Sequence, residues 1–369
     1  MNPTGTAPPR PYTLVAELTY KCPLRCVYCS NPVHYAGGAE LATETWQRVF
    51  SEAEALGVMQ VHLTGGEPLL RADLEELLES AHGAGLYTSL ITSAVTLTRE
   101  RLAGLAQRGL DHVQISIQGL TDEGATRIAG RSRLRDKLAA AAWVRELGMP
   151  LTLNVVLHRE NIEEVPALVQ LALSVGAERL ELANTQYLGW ALENRTALLP
   201  TFSQIERARA DAAEARERNQ GNLDVLFVLP DYHADVVRPC MQGWARRYIV
   251  ISPDGLVLPC HQAHTLPGLE WERAGERPLA EIWKSSPGLN AFRGEDWMLE
   301  PCRSCERRTL DFGGCRCQAF HLTGQLDVTD PACTLAPEHA RVVEARQNAA
   351  TSSNDLVALR YRRPPTAQH

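Results

Sequence analysis

The sequence predicts an α/β protein, a partial (β/α)6 barrel of the TIM type followed by a small cysteine-rich module. Three observations predict it. Apolar, β-branched runs alternate with helical stretches from Tyr12 to about Gln186, as βαβ units on a parallel sheet require. Six such strands are too few for a closed eight-stranded barrel. Beyond Pro200 the alternation stops, and from Cys302 to Cys333 the chain is rich in Cys, Arg and Gly with little periodicity, so it needs a staple such as bound metal.

The strands are expected at Tyr12–Thr19, Met59–Thr64, Leu86–Thr92, Val113–Ile117, Leu151–Leu157 and Arg179–Ala183, with helices near 44–56, 73–84, 99–108, 134–147 and 162–175. Asp73 with Glu76, and Asn161 with Glu164, have the spacing of capping boxes. Gly57, Gly109, Gly148 and Gly176 stand where helices should stop. A polar Ala/Arg/Glu-rich helix from about Ser203 to Arg218 reads as a solvated bridge. Tyr248–Ser252 and Leu256–Leu258 flank Pro253-Asp254-Gly255 and read as a β-hairpin. The chain is thus divided into a flexible tail (1–11), the barrel (12–200), a bridging helix and strand (201–238), the cysteine module (239–340) and a C-terminal tail (341–369), of which the last twenty or so residues are expected to be mobile.

Composition narrows the function. The net charge of −7 gives no reason to expect nucleic acid or an anionic membrane as partner. No window approaches 18 uninterrupted apolar residues, and Met1–Pro11 lacks the pattern of a signal peptide, so a cytoplasmic protein is expected. Ten cysteines in a reducing compartment point to metal or catalysis rather than disulfides.

Three of them, Cys22, Cys26 and Cys29, share one tight loop after the first strand. A structural zinc site would need four protein ligands. Three thiolates on a four-iron cluster leave one iron open to chelate a small molecule. The loop lies where ligands gather in parallel α/β folds, at the carboxyl ends of the strands. The second strand ends in Thr64-Gly65-Gly66-Glu67-Pro68, where two glycines permit close backbone approach and Glu67 offers a carboxylate to an ammonium group. Ser93, Ser116 and Asn154 lie at other strand ends and are candidates for ribose or carboxylate contacts; each is equally readable as a turn residue.

The run C-x3-C-x2-C with Tyr28 before its last cysteine resembles the signature of the radical S-adenosylmethionine (SAM) superfamily. That resemblance implies a [4Fe-4S] cluster on Cys22, Cys26 and Cys29, SAM on its open iron, Tyr28 near the adenine, and Gly65, Gly66 and Glu67 around the SAM amino group. Cys240, Cys260, Cys302, Cys305, Asp311, Cys315, Cys317 and Cys333 resemble the SPASM module of peptide-modifying radical SAM enzymes, with Asp311 where that family usually has cysteine. The resemblance implies two auxiliary clusters. Cys240, Cys260, Cys315 and Cys317 would hold the first, of two or four irons. Cys302, Cys305, Asp311 and Cys333 would hold the second, a [4Fe-4S] centre with a carboxylate ligand. Ten cysteines and Asp311 supply the eleven ligands that three clusters with one open position need. A zinc alternative would use Cys302, Cys305, Cys315 and Cys317 and leave Cys240, Cys260 and Cys333 without a task.

Asn184-Thr-Gln-Tyr-Leu-Gly-Trp190, Pro239-Cys-Met-Gln-Gly-Trp244 and Asp311-Phe-Gly-Gly-Cys-Arg-Cys-Gln-Ala-Phe320 resemble the peptide cyclases of pyrroloquinoline quinone (PQQ) biosynthesis. The resemblance covers about Tyr12 to Pro337. It implies hydrogen abstraction from a glutamate of a precursor peptide (PqqA), closure of a carbon–carbon bond to a tyrosine ring, a peptide chaperone (PqqD), and an electron donor such as a flavodoxin. Other readings are a thioether-forming or sulfatase-maturing enzyme with the same cofactors, a non-enzymatic iron–sulfur electron carrier, or a structural zinc protein. His261, His264 and His321 read as structural rather than as proton-transfer groups.

Overall fold

The structure is a computed structural model that describes residues 8–33, 39–351 and 358–363. In chain order the elements are β1 Thr13–Thr19, α1 Thr43–Leu56, β2 Gln60–Gly65, α2 Leu74–Gly83, β3 Tyr87–Thr92, α3 Arg99–Gln107, β4 His112–Ile117, α4 Asp122–Ala129 and α5 Leu134–Glu146. Then follow β5 Leu151–Leu157, α6 Val165–Ser174, β6 Arg179–Asn184, α7 Trp190–Glu193, α8 Arg195–Leu198, α9 Phe202–Arg218 and β7 Asp224–Phe227. The remainder holds β8 Tyr248–Ile251, β9 Val257–Leu258, α10 Leu279–Ser285, α11 Pro287–Asn290, α12 Arg308–Asp311, α13 Arg316–Thr323 and α14 Ala340–Thr351.

The strands form one open sheet in the order β7-β6-β5-β4-β3-β2-β1-β8-β9. Every neighbouring pair is parallel except β8–β9. Alternation sorts the residues between its faces. Val61, Leu63, Val113, Ile115, Leu180 and Leu182 are buried, whereas His62, Gln114, Ser116 and Glu181 are partly accessible. The apolar set joins Trp46, Phe50, Leu77, Leu102, Val144 and Leu168 of the helices in one continuous core. The polar set is left for the concave side.

The six expected strands and five helices are all present within one to three residues, and Gly57, Gly109, Gly148 and Gly176 take positive φ after their helices. Four expectations need correction. The two capping boxes are not made: the Asp73 carboxylate is bound by Arg71 and Thr43, and Asn161 bonds the backbone of His158 and Val156. The box that does form is Thr201 with Gln204. That box opens α9, which is no solvated bridge. It buries Ile205, Ala208 and Ala212 against α6 and β7 and is the crossover to a seventh parallel strand.

The hairpin, with Gly255 at φ 94°, is also not confined to a separate module, because β8 pairs in parallel with β1 from Thr13–Tyr248 to Ala16–Ile251. Finally, much of the supposed tails is fixed. The Trp283 indole donates to the Pro9 carbonyl (2.9 Å); residues 1–7 lie outside the described residues. α14 buries Val342, Ala345 and Ala349 beside Val27, Tyr187, Leu198 and Tyr232. Segment 358–363 lies back across the barrel: Arg360 N–H donates to Asn194 (2.7 Å), Tyr361 OH to the Arg127 carbonyl (2.8 Å), and Arg362, 4% exposed, to the Tyr20 carbonyl.

Candidate active site and iron–sulfur ligands

Cys22, Cys26 and Cys29 occupy the loop that leaves β1 at its carboxyl end. Neighbours on every side hold its backbone. Arg25 and Val27 N–H donate to the Ala129 and Ile128 carbonyls at the end of α4 (2.9 and 3.0 Å). The Cys29 carbonyl accepts from Trp190 N–H (3.0 Å), Asn194 Nδ2 donates to the Val27 carbonyl (2.8 Å), and Gln262 donates to the Ser30 carbonyl. Gly189 (φ 56°) leaves room for the same loop, since a Cβ there would crowd the carbonyls of Cys29, Ser30 and Asn31. Burial pushes the Cys22 thiol up to about 11 and Cys26 up to about 12, with the neighbouring thiols adding repulsion, and raises Cys29 likewise. Three half-buried thiols that resist ionising together are what a cationic partner would relieve.

The Gly65-Gly66 turn presses against that loop. Gly66 N–H donates to the Thr19 carbonyl (2.5 Å) and Glu67 N–H to the Lys21 carbonyl (2.8 Å), and a Cβ on either glycine would collide with the Thr19 or Lys21 carbonyl oxygen. Glu67 is fully buried. Its carboxylate accepts from Thr92 Oγ1 (2.6 Å), Ser93 N–H (2.8 Å), Ser93 Oγ and Leu69 N–H (3.2 Å). Glu67 and Ser93 therefore tie the ends of β2 and β3 together. Ser116 and Asn154 are register partners on β4 and β5. Tyr28 is partly buried with its ring 6.0 Å from that of His158, and loss of solvent around its phenol raises it far above the usual range.

Lys137, Glu17 and Arg362 belong to the same neighbourhood but were not singled out in the sequence. Lys137, 3% exposed, reaches from α5 to the Ser116 carbonyl (2.7 Å) and to Gln118. Burial pushes its ammonium down to about 8, against the pull of Cys26, Glu67 and Cys22. Glu17 on β1 is buried with Tyr20 OH donating to it (2.8 Å), and burial raises its carboxyl to about 8. The Arg362 charge lowers Cys22 and Cys29. A lysine within the alanine-rich face of α5 was the one available signal; Arg362 had none, lying in an apparently featureless tail.

All ten cysteines are free thiols. The second constellation separates into two groups. Cys260 Sγ lies 3.7 Å from Cys317 Sγ, and Cys240 is in hydrogen-bonding contact with both Cys260 and Cys315. Hydrogen bonds from Cys240 and Cys317 hold the Cys260 thiol low, while sharing with Cys240 pushes Cys315 up to about 12. Asp311 ends α12, and its charge disfavours ionisation of Cys302 and Cys333. Cys305 acts on Cys333 in the same way. The zinc alternative drew Cys302 and Cys305 together with Cys315 and Cys317; the structure places the latter pair with Cys240 and Cys260. Among the described residues no three such ligands meet at the spacing of a single ion. Soft thiols gathered in separate groups suit iron–sulfur clusters better than a hard cation. His261 and His321 are half-buried, with imidazoles held below their usual range by loss of solvent.

Comparison with known proteins accords with this division. A family profile for the radical SAM superfamily matches residues 16–172, and one for an iron–sulfur cluster-binding domain, SPASM, matches residues 240–306. A PqqA peptide cyclase of Bradyrhizobium diazoefficiens is 50% identical over 353 residues, covering 95% of this chain and 93% of that protein. One from Ruegeria pomeroyi is 49% identical over 99% of both chains. The chain belongs to the PqqA peptide cyclase family. As a PqqA peptide cyclase homologue it is a radical SAM enzyme with a SPASM domain. Among solved structures, Streptococcus suis SuiB bound to S-adenosylmethionine is similar in fold, with TM-score 0.74 at 20% identity over 88% of this chain and 77% of that one. AdoMet-bound anSMEcpe gives TM-score 0.64 at 16% identity over 92% and 97%. Among the described residues no helix is long and apolar enough to cross a membrane.

Proposed function

We propose that this enzyme joins a glutamate side-chain carbon to a tyrosine ring within a PqqA-type precursor peptide, an early step of PQQ biosynthesis. The observation that carries the reading is identity of about half over nearly the whole chain to named PqqA peptide cyclases, together with three separate thiol groups where three clusters are needed. A [4Fe-4S] cluster on Cys22, Cys26 and Cys29 would supply the electron that splits SAM into methionine and a 5′-deoxyadenosyl radical, and two auxiliary clusters a route for the surplus electron.

The chain's own residues orient and enclose. The Gly65-Gly66 turn brings backbone carbonyls beside the cysteine loop for the SAM amino group, and Glu67 fixes that turn through Thr92 and Ser93. Lys137 offers a buried cation to the SAM carboxylate. Ser116 and Asn154, side by side, suit the ribose, and Tyr28 beside His158 suits the adenine. The segment 358–363 excludes water from one side. Cys240, Cys260, Cys315 and Cys317 hold the first auxiliary cluster; Cys302, Cys305, Asp311 and Cys333 hold the second, a four-iron centre whose Asp311 is a harder ligand than thiolate. The peptide is presented by a PqqD-type chaperone, electrons come from a flavodoxin-type donor, and the site of action is the cytoplasm.

The test is anaerobic incubation of the reconstituted enzyme with SAM, reductant, chaperone and a Glu-x3-Tyr precursor, followed by mass spectrometry. A peptide lighter by two hydrogens, with a Glu–Tyr crosslink on fragmentation, supports the reading. SAM cleavage without that product rejects it.

A further inference from the structure

Among the described residues Arg316 has no carboxylate paired with it, and it is buried where the two sets of auxiliary ligands approach one another. Arg316 opens α13, with Cys315 on one side of it in sequence and Cys317 on the other, and is 1% exposed. Its guanidinium lies over the Trp297 ring at 4.6 Å and within 6.0 Å of Phe292. Nη1 donates to the Leu326 and Val328 carbonyls (3.0 and 2.6 Å) and Nη2 to the Gly313 carbonyl, while Nε is buried without a partner. Three acidic side chains of this segment face other partners in the structure. Asp311 faces Arg307, Glu295 pairs with Arg308, and Asp330 accepts from Cys315 N–H, Gln318 and Ala332 N–H.

Neutral carbonyls satisfy hydrogen bonds but leave the charge uncompensated, and a buried charge with no counter-ion is costly. The unassigned anions nearby are the ligands themselves. A Cβ built on Gly313 would stand 3.4 Å from Arg316 Nη2 and 3.5 Å from Cys302 Sγ, so the guanidinium and that thiol converge on one small gap.

We propose that Arg316 is the fixed counter-charge shared by both auxiliary clusters, a positioning residue that makes each easier to reduce. An iron–sulfur centre with four anionic ligands is negative overall and gains a further negative charge on taking up one electron. A fixed cation nearby therefore raises its reduction potential, one of the levers by which protein surroundings tune such centres. The inference rests on the proposed ligand sets.

The experiment is an EPR-monitored redox titration of the anaerobically reconstituted enzyme with dithionite, comparing wild type, Arg316→Met and Arg316→Lys, with iron counted in each. Both auxiliary midpoints in Arg316→Met should move to more negative potential, with the cluster on Cys22, Cys26 and Cys29 unmoved and Arg316→Lys close to wild type. Unchanged auxiliary midpoints in fully loaded Arg316→Met, or equal shifts in the two variants, overturn the proposal. Should Arg316→Met fail to take up iron, the lysine variant decides. Full loading at wild-type midpoints supports the shared charge, and failure to load or a shift at full loading overturns it. Wild-type protein that lacks two auxiliary signals overturns the ligand sets, and this inference with them.

Discussion

Gly66 has no room for a methyl group, because a Cβ would sit inside the Lys21 carbonyl oxygen. Its φ is not positive, so the constraint is contact alone. Gly66→Ala must push the cysteine loop off β2, at a cost of at least about 3 kcal/mol. The expected result is a lower unfolding midpoint in denaturant together with lost SAM cleavage, and an unaltered midpoint would show that the loop does not rest on this turn. Lys137 tests the other side of the site. Lys137→Met keeps the bulk of the side chain but removes the cation, so KM for SAM in reductive cleavage should rise about tenfold or more, the scale of one charge-assisted hydrogen bond of about 1.5–3 kcal/mol. An unchanged KM would take Lys137 out of the SAM site. Single residues were unevenly legible. The cysteines announced themselves by spacing, since thiols on one cluster must be close in the chain or in space. Glu67 was seen as a ligand-facing carboxylate, yet its oxygens are engaged by Thr92, Ser93 and Leu69, partners that only the pairing of β2 with β3 reveals.

At the level of elements, α9 shows why pattern alone misjudged a helix. Its charged residues outnumber the apolar ones, but Ile205, Ala208 and Ala212 recur at three and four residues and form a narrow buried seam. Ile205→Ala should destabilise by about 2–4 kcal/mol, read as a shift in the unfolding midpoint, because the fully buried side chain fills the space beneath β7. A loss under about 0.5 kcal/mol would mean that the helix is a surface bridge after all. Strands β1 to β6 were legible because alternation and length distinguish them. β7 and β8 were not assigned to the sheet, since four residues carry too little periodicity and their partners, β6 and β1, lie across long connections. The capping boxes failed for a related reason: Asp73 met a stronger donor in Arg71 than the helix N–H groups offer.

At the scale of the whole molecule, burial holds several of the described imidazoles below their usual range, three of them far below. His112, bonded to Ser89 and Thr152, and His233 are lowered to about 4, and His158 to about 3. In the unfolded chain each binds a proton near pH 6.5, so the unfolded state takes up more protons as acidity increases. Stability should therefore fall as the pH drops from about 6.5 through about 4. His112→Gln should flatten that decline by about 1 kcal/mol at pH 5, a figure reduced for the partial exposure of the ring. Parallel curves of melting temperature against pH for the two proteins would rule this out. The C-terminal segment offers a second test. Removing residues 358–369 takes away Arg362 from the Tyr20 carbonyl and opens the loop of Cys22, Cys26 and Cys29 to water. The iron there should bleach several-fold faster in air, and an unaltered rate would show that the segment shields nothing.

The pairing of Thr13 with Tyr248 also has a bearing on how the protein is made. β1 leaves the ribosome well before β8, and one of its two flanks stays open until some 235 further residues, on the order of a dozen seconds or more of translation, have been polymerised. Until then Leu14, Ala16 and Leu18 belong to an unpaired apolar edge, the kind that invites association with other chains. The nascent polypeptide must be sheltered during that interval, and the cysteine loop hanging from the same strand reaches its final form only after the second half of the chain has arrived.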